Sequence, residues 1–177
     1  MVEEPPEKTI FLFITHAPEK VLQTIFSRCQ SIRVLPLTKE EAEQVRLCKP
    51  EEDREEYNRF SDLFADLMNA IVSRDLMSAL DCSEQMAALE SREKQKAFCT
   101  FASACIRKIY MIQQNMPQIA DVSEDEQEFY SKMASCCGKS FCQRSVTNID
   151  KVVGMIDRNV SSKILFCDLV NRMFLSL

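Results

Sequence analysis

One arginine stands where its type and spacing could do chemistry. Thr24-Ile25-Phe26-Ser27-Arg28-Cys29-Gln30 closes a short amphipathic stretch and leads into Ser31-Ile32-Arg33-Val34-Leu35-Pro36-Leu37. A guanidinium is always charged and holds its donors in a rigid fork, so an arginine reaching out from a helix end is suited to neutralising charge that develops on a transferring phosphoryl group. The same residue has a plainer use. Near a helix C-terminus it complements the negative end of the macrodipole and bonds the last free carbonyls. If Arg28 does act on a nucleotide, the nucleotide must be held elsewhere. Gly138 and Gly154 are the only two glycines, and neither lies in the G-x-x-x-x-G-K-[ST] pattern that cradles phosphates.

The other reactive groups are thiols, one imidazole and a run of carboxylates. The nine cysteines are Cys29, Cys48, Cys82, Cys99, Cys105, Cys136, Cys137, Cys142 and Cys167. An odd number without paired spacing reads as reduced thiols serving as small core residues. Cys136-Cys137-Gly138-Lys139-Ser140-Phe141-Cys142 invites a zinc reading. A second C-x-x-C pair is absent from the sequence and His16 is remote in it, so no metal is expected. A cysteine nucleophile needs a base, and no pattern ties His16 to a thiol. Glu51, Glu52, Asp53 and Glu55 form a charge run most simply read as solvated surface.

These residues have to be positioned by mostly helical elements. The chain of 177 residues suffices for one ordinary domain or a domain with an appended fragment. Two glycines, six prolines and no tryptophan, with 46% hydrophobic and 28% charged residues, favour helices over a turn-rich β fold. The net charge of −5, with acidity concentrated between Glu40 and Asp66, argues against holding DNA by phosphate neutralisation. No apolar run reaches membrane-spanning length and the start is acidic and proline-bearing, so a cytoplasmic chain without membrane contact is expected.

Residues 9–15 are a near-continuous apolar run, the pattern of a strand buried on both faces, with residues 32–35 as its one possible mate. Val21, Leu22, Ile25 and Phe26 make one face of the helix between them. Thr38 reads as an N-cap with Glu40 and Glu41 in the first turn of a helix running to about Cys48. Phe60, Leu63, Phe64, Leu67, Met68, Ile71 and Val72 then fall on one helical face. A helix over residues 75–89 is expected with Leu76, Met77, Leu80 and Met86 inward. The clearest pattern covers residues 92–116 through Phe98, Phe101, Ala102, Cys105, Ile106, Ile109, Ile112 and Met116, and Pro117 ends it. Ser123-Glu124-Asp125-Glu126 looks like a capping box. Further helices follow through Phe129 and Met133, over residues 141–158, and over residues 161–176. These amphipathic segments are stable only against one another.

Several stretches resemble a known family. Glu3-Glu4-Pro5-Pro6-Glu7, Thr9-Ile10-Phe11-Leu12-Phe13-Ile14-Thr15, Pro18-Glu19-Lys20 and Thr24-Ile25-Phe26-Ser27-Arg28-Cys29-Gln30 together resemble one consecutive run in bacterial clamp-loader subunits of the AAA+ class. That run extends from just before the sensor-1 strand to the Ser-Arg-Cys motif. Arg92-Glu93-Lys94-Gln95-Lys96-Ala97-Phe98 and the stretch from Ile156 to Leu169 resemble the C-terminal part of the delta prime group of these DNA polymerase III subunits. The resemblance implies a trans-acting arginine finger at Arg28, flanked by Ser27 and Cys29, and a sensor-1-like position at Thr15. It implies no cofactor in this chain, with ATP and Mg on neighbouring subunits. The implied partners are gamma/tau-type and delta-type subunits, met through a helical collar that holds five subunits in a ring. The sliding clamp and primed DNA would be reached only through the complex.

The expected fold is therefore mainly α, an antiparallel helical bundle of the clamp-loader collar type preceded by a short β-α-β remnant of an AAA+ α/β domain. Residues 1–37 would be that remnant, 38–56 an abbreviated lid or linker, and 57–177 the collar. Met111, Ile119, Leu175 and Leu177 are the candidates for joining neighbouring subunits. The expected role is non-catalytic assembly. The alternative from another class is a free-standing all-helical adaptor, or an enzyme using a thiol or carboxylates, which needs a concave site with a perturbed titratable group beside a base.

Overall fold

A computed structural model describes residues 10–15, 18–34, 51–120, 122–123 and 126–177, the side chains of residues 51–53 excepted. The chain divides into two compact units, Met1–Lys49 and Pro50–Leu177. The helix expected between Thr38 and Cys48 lies outside the described residues, as does His16.

In the first unit a 3-10 turn, Pro18–Lys20, precedes the four-residue helix α1, Gln23–Phe26. The strands expected over residues 9–15 and 32–35 are not formed where those residues are described. A strand persists only when its N–H and C=O groups enter a ladder, and neither run meets a partner strand among the described residues. Their side chains are accordingly exposed, Ile10 at 92% and Val34 at 86%.

The second unit is helical throughout its regular structure. Its elements are α2 (Glu51–Val72), α3 (Leu76–Ala87), α4 (Arg92–Gln113), the short α5 (Pro117–Ala120), α6 (Gln127–Cys136), α7 (Lys139–Ile156) and α8 (Ser162–Ser176). Helix α4 lies at the centre, packing on α7, α6 and α5 and more lightly on α2 and α3, while α8 packs on α3 and α7. Phe98, Ile106 and Ile109 of α4 are buried with Phe64 and Ile71 of α2, Phe141 and Ile149 of α7, and Phe166 of α8. Edge-on ring contacts join α2 to α4, with Phe60 and Phe98 centroids 5.5 Å apart.

Helix ends explain the turns. Residues Arg74, Asn115 and Asn159 adopt φ of 61°, 59° and 62°. Each sits at the left-handed position of a Schellman ending. At Arg74 the bonds are Asp75 N to Ala70 O at 2.9 Å and Arg74 N to Ile71 O at 3.2 Å. Asparagine tolerates this conformation, whereas arginine carries a Cβ penalty there. Asp75 then caps α3 by accepting from Met77 N and Ser78 N, and Ser91 caps α4 by accepting from Lys94 N.

Two sequence expectations are corrected here. The inward face of α3 is Ala79, Cys82, Ser83 and Met86, whereas Leu76 and Met77 are exposed at 40% and 71%. Small residues on that face let α2 and α8 approach α3 closely, and side-chain size alone pointed to the wrong residues. The capping box at Ser123 also does not form as such. Glu126 is the N-cap of α6 without a side-chain cap bond, and its carboxylate accepts from Tyr57 Oη at 3.3 Å and from Lys108 Nζ at 3.5 Å.

Candidate functional site

Arg28 lies two residues past the end of α1, in a turn held by Ser27 N to Gln23 O and Arg28 N to Ile25 O, both 3.0 Å. The sequence folds this way because Leu22, Ile25 and Phe26 supply one turn of helical spacing and no further apolar residue continues it. The Arg28 side chain is exposed, and its Nη1 donates to the carbonyl of Thr24 at 2.8 Å. Ser27 Oγ donates to the same carbonyl at 3.2 Å. The arginine thus performs the plainer of its two uses, closing the end of its own helix. The next residue, Cys29, is exposed too. Thr15 is exposed as well.

The buried thiols of the helical unit point away from nucleophilic chemistry. Burial pushes Cys99 and Cys137 up to about 12 and Cys142 up to about 11, and Cys82 and Cys105 upward too. A reactive cysteine needs the opposite displacement, toward the thiolate. Cys142 instead lies 3.7 Å from Gln113 Oε1, while Gln113 Nε2 donates to the carbonyls of Ala134 and Cys137. The cysteine cluster is therefore a structural junction of α4, α6 and α7. Among the described residues no group of three or more His, Cys, Asp or Glu side chains is arranged to hold a metal ion. Among them, too, no helix is long and apolar enough to cross a membrane.

Of the residues expected to join subunits, Ile119 and Leu175 stand out from the surface at 61% and 83% exposure. Met111 is half-buried, and Leu177 is half-buried against the core. Two features of the helical unit had no part in the sequence reading. One is the buried Gln95, which donates to the carbonyl of Ala87 at 3.1 Å and accepts from Ser162 Oγ at 2.8 Å. The other is the line of Arg144, Asn148 and Lys151 on one face of α7. Its signal in the sequence was the spacing of two cations by two helical turns.

Comparison with known proteins relates a short region of the chain to the clamp-loader family of bacterial DNA polymerase III. Residues 1–38 match the family described as "DNA polymerase III, delta subunit". Over 53 residues the chain is 49% identical to "DNA polymerase III subunit gamma/tau" of Mycobacterium bovis, and equally to that of Mycobacterium tuberculosis. Each match takes in 29% of this chain and 9% of the relative's length. No solved structure matches.

Proposed function

We propose that the chain is a non-catalytic assembly part of a bacterial DNA polymerase III clamp loader, of the delta prime type, supporting ATP-driven loading of the sliding clamp in DNA replication. The observation that carries this reading is the match over residues 1–38, because Arg28 with Ser27 and Cys29 falls inside it. In this role Arg28 is an arginine finger offered to the nucleotide of an adjacent subunit, with ATP and Mg held there. The helical unit serves as the collar that meets gamma/tau-type and delta-type partners.

The geometry at Arg28 is compatible with that use. Acting in trans would turn the Arg28 guanidinium from Thr24 O toward a phosphoryl oxygen. A bond of that kind contributes about 0.5–1.5 kcal/mol. An arginine finger changes turnover by roughly 10³ to 10⁵, because its charge is met in the transition state.

The test is Arg28→Ala in the reconstituted complex. Clamp-stimulated ATP turnover is expected to fall roughly a thousandfold or more. Arg28→Lys is expected to stay low, because an ammonium lacks the fork that meets two oxygens at once. Unchanged turnover in both variants rejects the role.

A further inference from the structure

Helix α7 carries a glycine that nothing in the described chain requires. Gly154 is exposed in the last turn of the helix, and its φ is not positive. Apart from its chain neighbours and the helix's own backbone, no heavy atom stands within 4 Å of where its Cβ would be. A glycine in a helix lowers stability, because the unfolded chain gives up more backbone freedom there than it would at an alanine. What it allows is close approach by another backbone. No other element of this chain makes that approach at Gly154 among the described residues.

The surface around it has one character. Lys151, Gly154 and Met155 share a helical face turned away from the buried Val152 and Ile156, and Arg158 follows in the turn. Met155 and Val160 are the two ends of a Schellman motif, with Val160 N to Met155 O at 3.4 Å and Asn159 N to Ile156 O at 3.2 Å. Apolar residues at these two places ordinarily cover each other. Here both stay 42% exposed, and Ile164 in the first turn of α8 is 66% exposed. Lys151, Arg158 and Lys163 are exposed around them, and among the described residues none of the three makes an ion pair. Asp157 is taken up by Lys96, whereas Asp150 makes no ion pair among the described residues, so the cations are in excess. We infer that this surface binds an acidic amphipathic helix of another protein. Its small and apolar side chains lie over Gly154, Met155 and Val160, and its carboxylates meet Lys151, Arg158 and Lys163.

A helix fits this surface better than a nucleic acid or a bilayer. Three cations would release only about three counterions from a phosphate backbone, a weak affinity that the chain's net charge of −5 lowers further. A bilayer surface gains nothing from a missing side chain. Two helices, packing with axes about 8–10 Å apart, come nearer where one of them carries glycine. The cations at the edge of such a contact set its register and salt dependence more than its strength. The occupant is a further partner, beyond the subunits already given to the helical unit. Ile164 and Leu175 differ by 175 − 164 = 11 positions, about 16 Å along α8, so Leu175 stays available for a subunit contact. The inference is independent of the role proposed for Arg28, since binding is read on this chain alone and its failure leaves the turnover test untouched.

Selection of the whole chain against a phage-displayed library of helical peptides, about five turns long and randomised on one face, tests it. Fluorescence anisotropy then gives the affinity of each enriched peptide. Enriched peptides are expected to carry alanine and leucine along one stripe flanked by aspartate or glutamate, and to bind less tightly as salt rises. Gly154→Leu is expected to weaken their binding about tenfold or more, and so is Lys151→Glu with Arg158→Glu, where attraction gives way to repulsion. All three positions are exposed, so the fold is expected to survive, which far-UV circular dichroism checks. Gly154→Ala separates the occupant's needs from the chain's own. It is expected to raise the unfolding midpoint of the isolated chain while weakening peptide binding several-fold. Vesicles of phosphatidylglycerol are expected not to bind. No enrichment, enriched peptides that are neutral or basic, affinities unchanged in Gly154→Leu, a midpoint lowered by Gly154→Ala, or vesicle binding lost on the same charge reversal overturns the proposal.

Discussion

The hydroxyl of Ser162 donates to Oε1 of Gln95 at 2.8 Å, joining the first turn of α8 to a glutamine that is 5% exposed on α4. Gln95 Nε2 reaches the carbonyl of Ala87 at the end of α3, so one amide ties three helices together. Ser162→Ala leaves a buried acceptor without its donor, which costs about 1–3 kcal/mol. The same change in a Gln95→Met background is expected to cost much less, because no polar acceptor is then stranded. Urea unfolding of the four proteins gives the coupling directly, and equal costs in both backgrounds would show that the bond contributes nothing.

Arg74 is a second tie between distant elements and a strained one. Its φ of 61° is unfavourable for a residue with a Cβ, yet its Nη1 donates to Phe174 O at 2.7 Å and its guanidinium lies 5.5 Å from the Phe174 ring centroid. The carbonyl belongs to the last turn of α8, where a cation complements the dipole. Arg74→Ala keeps the strain and loses the cap, so it is expected to destabilise. Arg74→Gly relieves the strain, and it is expected to be the more stable of the two by roughly 0.5–1 kcal/mol. Thermal unfolding of both variants decides it. Alanine and glycine giving the same midpoint would mean that backbone strain has no part.

Each of these ties was hidden from sequence reading for a physical reason. Periodicity located the core of α2 and α4 well, since Phe60, Leu63, Phe64, Leu67, Met68 and Ile71 are all buried as their spacing requires. It says nothing of a polar residue on the apolar face, and Gln95 stands among Arg92, Glu93, Lys94 and Lys96, whose charges mask its burial. On α3 the buried side chains are small apart from Met86, which lies inward as its spacing requires, so Leu76 and Met77 drew the face the wrong way. The strands near the start were read from composition alone, but a ladder is a property of two segments, and their described residues have none. At Arg28 both uses were legible from the residue type. The bond to Thr24 O realises the local one, and the action in trans needs a partner.

Among the described residues the hydrophobic core, from Phe60 to Met173, lies in the second unit. A chain limited to residues 50–177 is therefore expected to keep its helical circular dichroism and an unfolding midpoint close to that of the whole chain. Arg28→Ala is likewise expected to leave the midpoint unchanged, since the side chain is exposed in the other unit. A midpoint lowered by several degrees in the shortened chain would show that residues before Pro50 support this core.

Buried thiols set the alkaline limit of stability. Cys99 and Cys137 are pushed by burial from an ordinary value of 9.0 up to about 12, and burial also raises the Tyr130 hydroxyl. Between these limits the unfolded chain loses thiol protons that the folded chain retains. The stabilisation is thus fully present below pH 9 and is lost as pH rises from there toward about 12. Lys94 and Lys96, raised chiefly by the hydrogen bonds they donate to Glu90 and Asp157, act in the same direction at the upper end. Urea midpoints are expected to be flat through neutral pH and to fall steadily above pH 9. In Cys99→Ala the midpoint starts lower, because a buried side chain is trimmed, but the alkaline slope is shallower. Alkylation of the native chain at neutral pH followed by mass spectrometry is expected to mark the exposed Cys29 and Cys136 well before Cys99, Cys105 and Cys142. Modification of Cys99 at the same rate as Cys136 would mean that the core opens far more often than its packing implies.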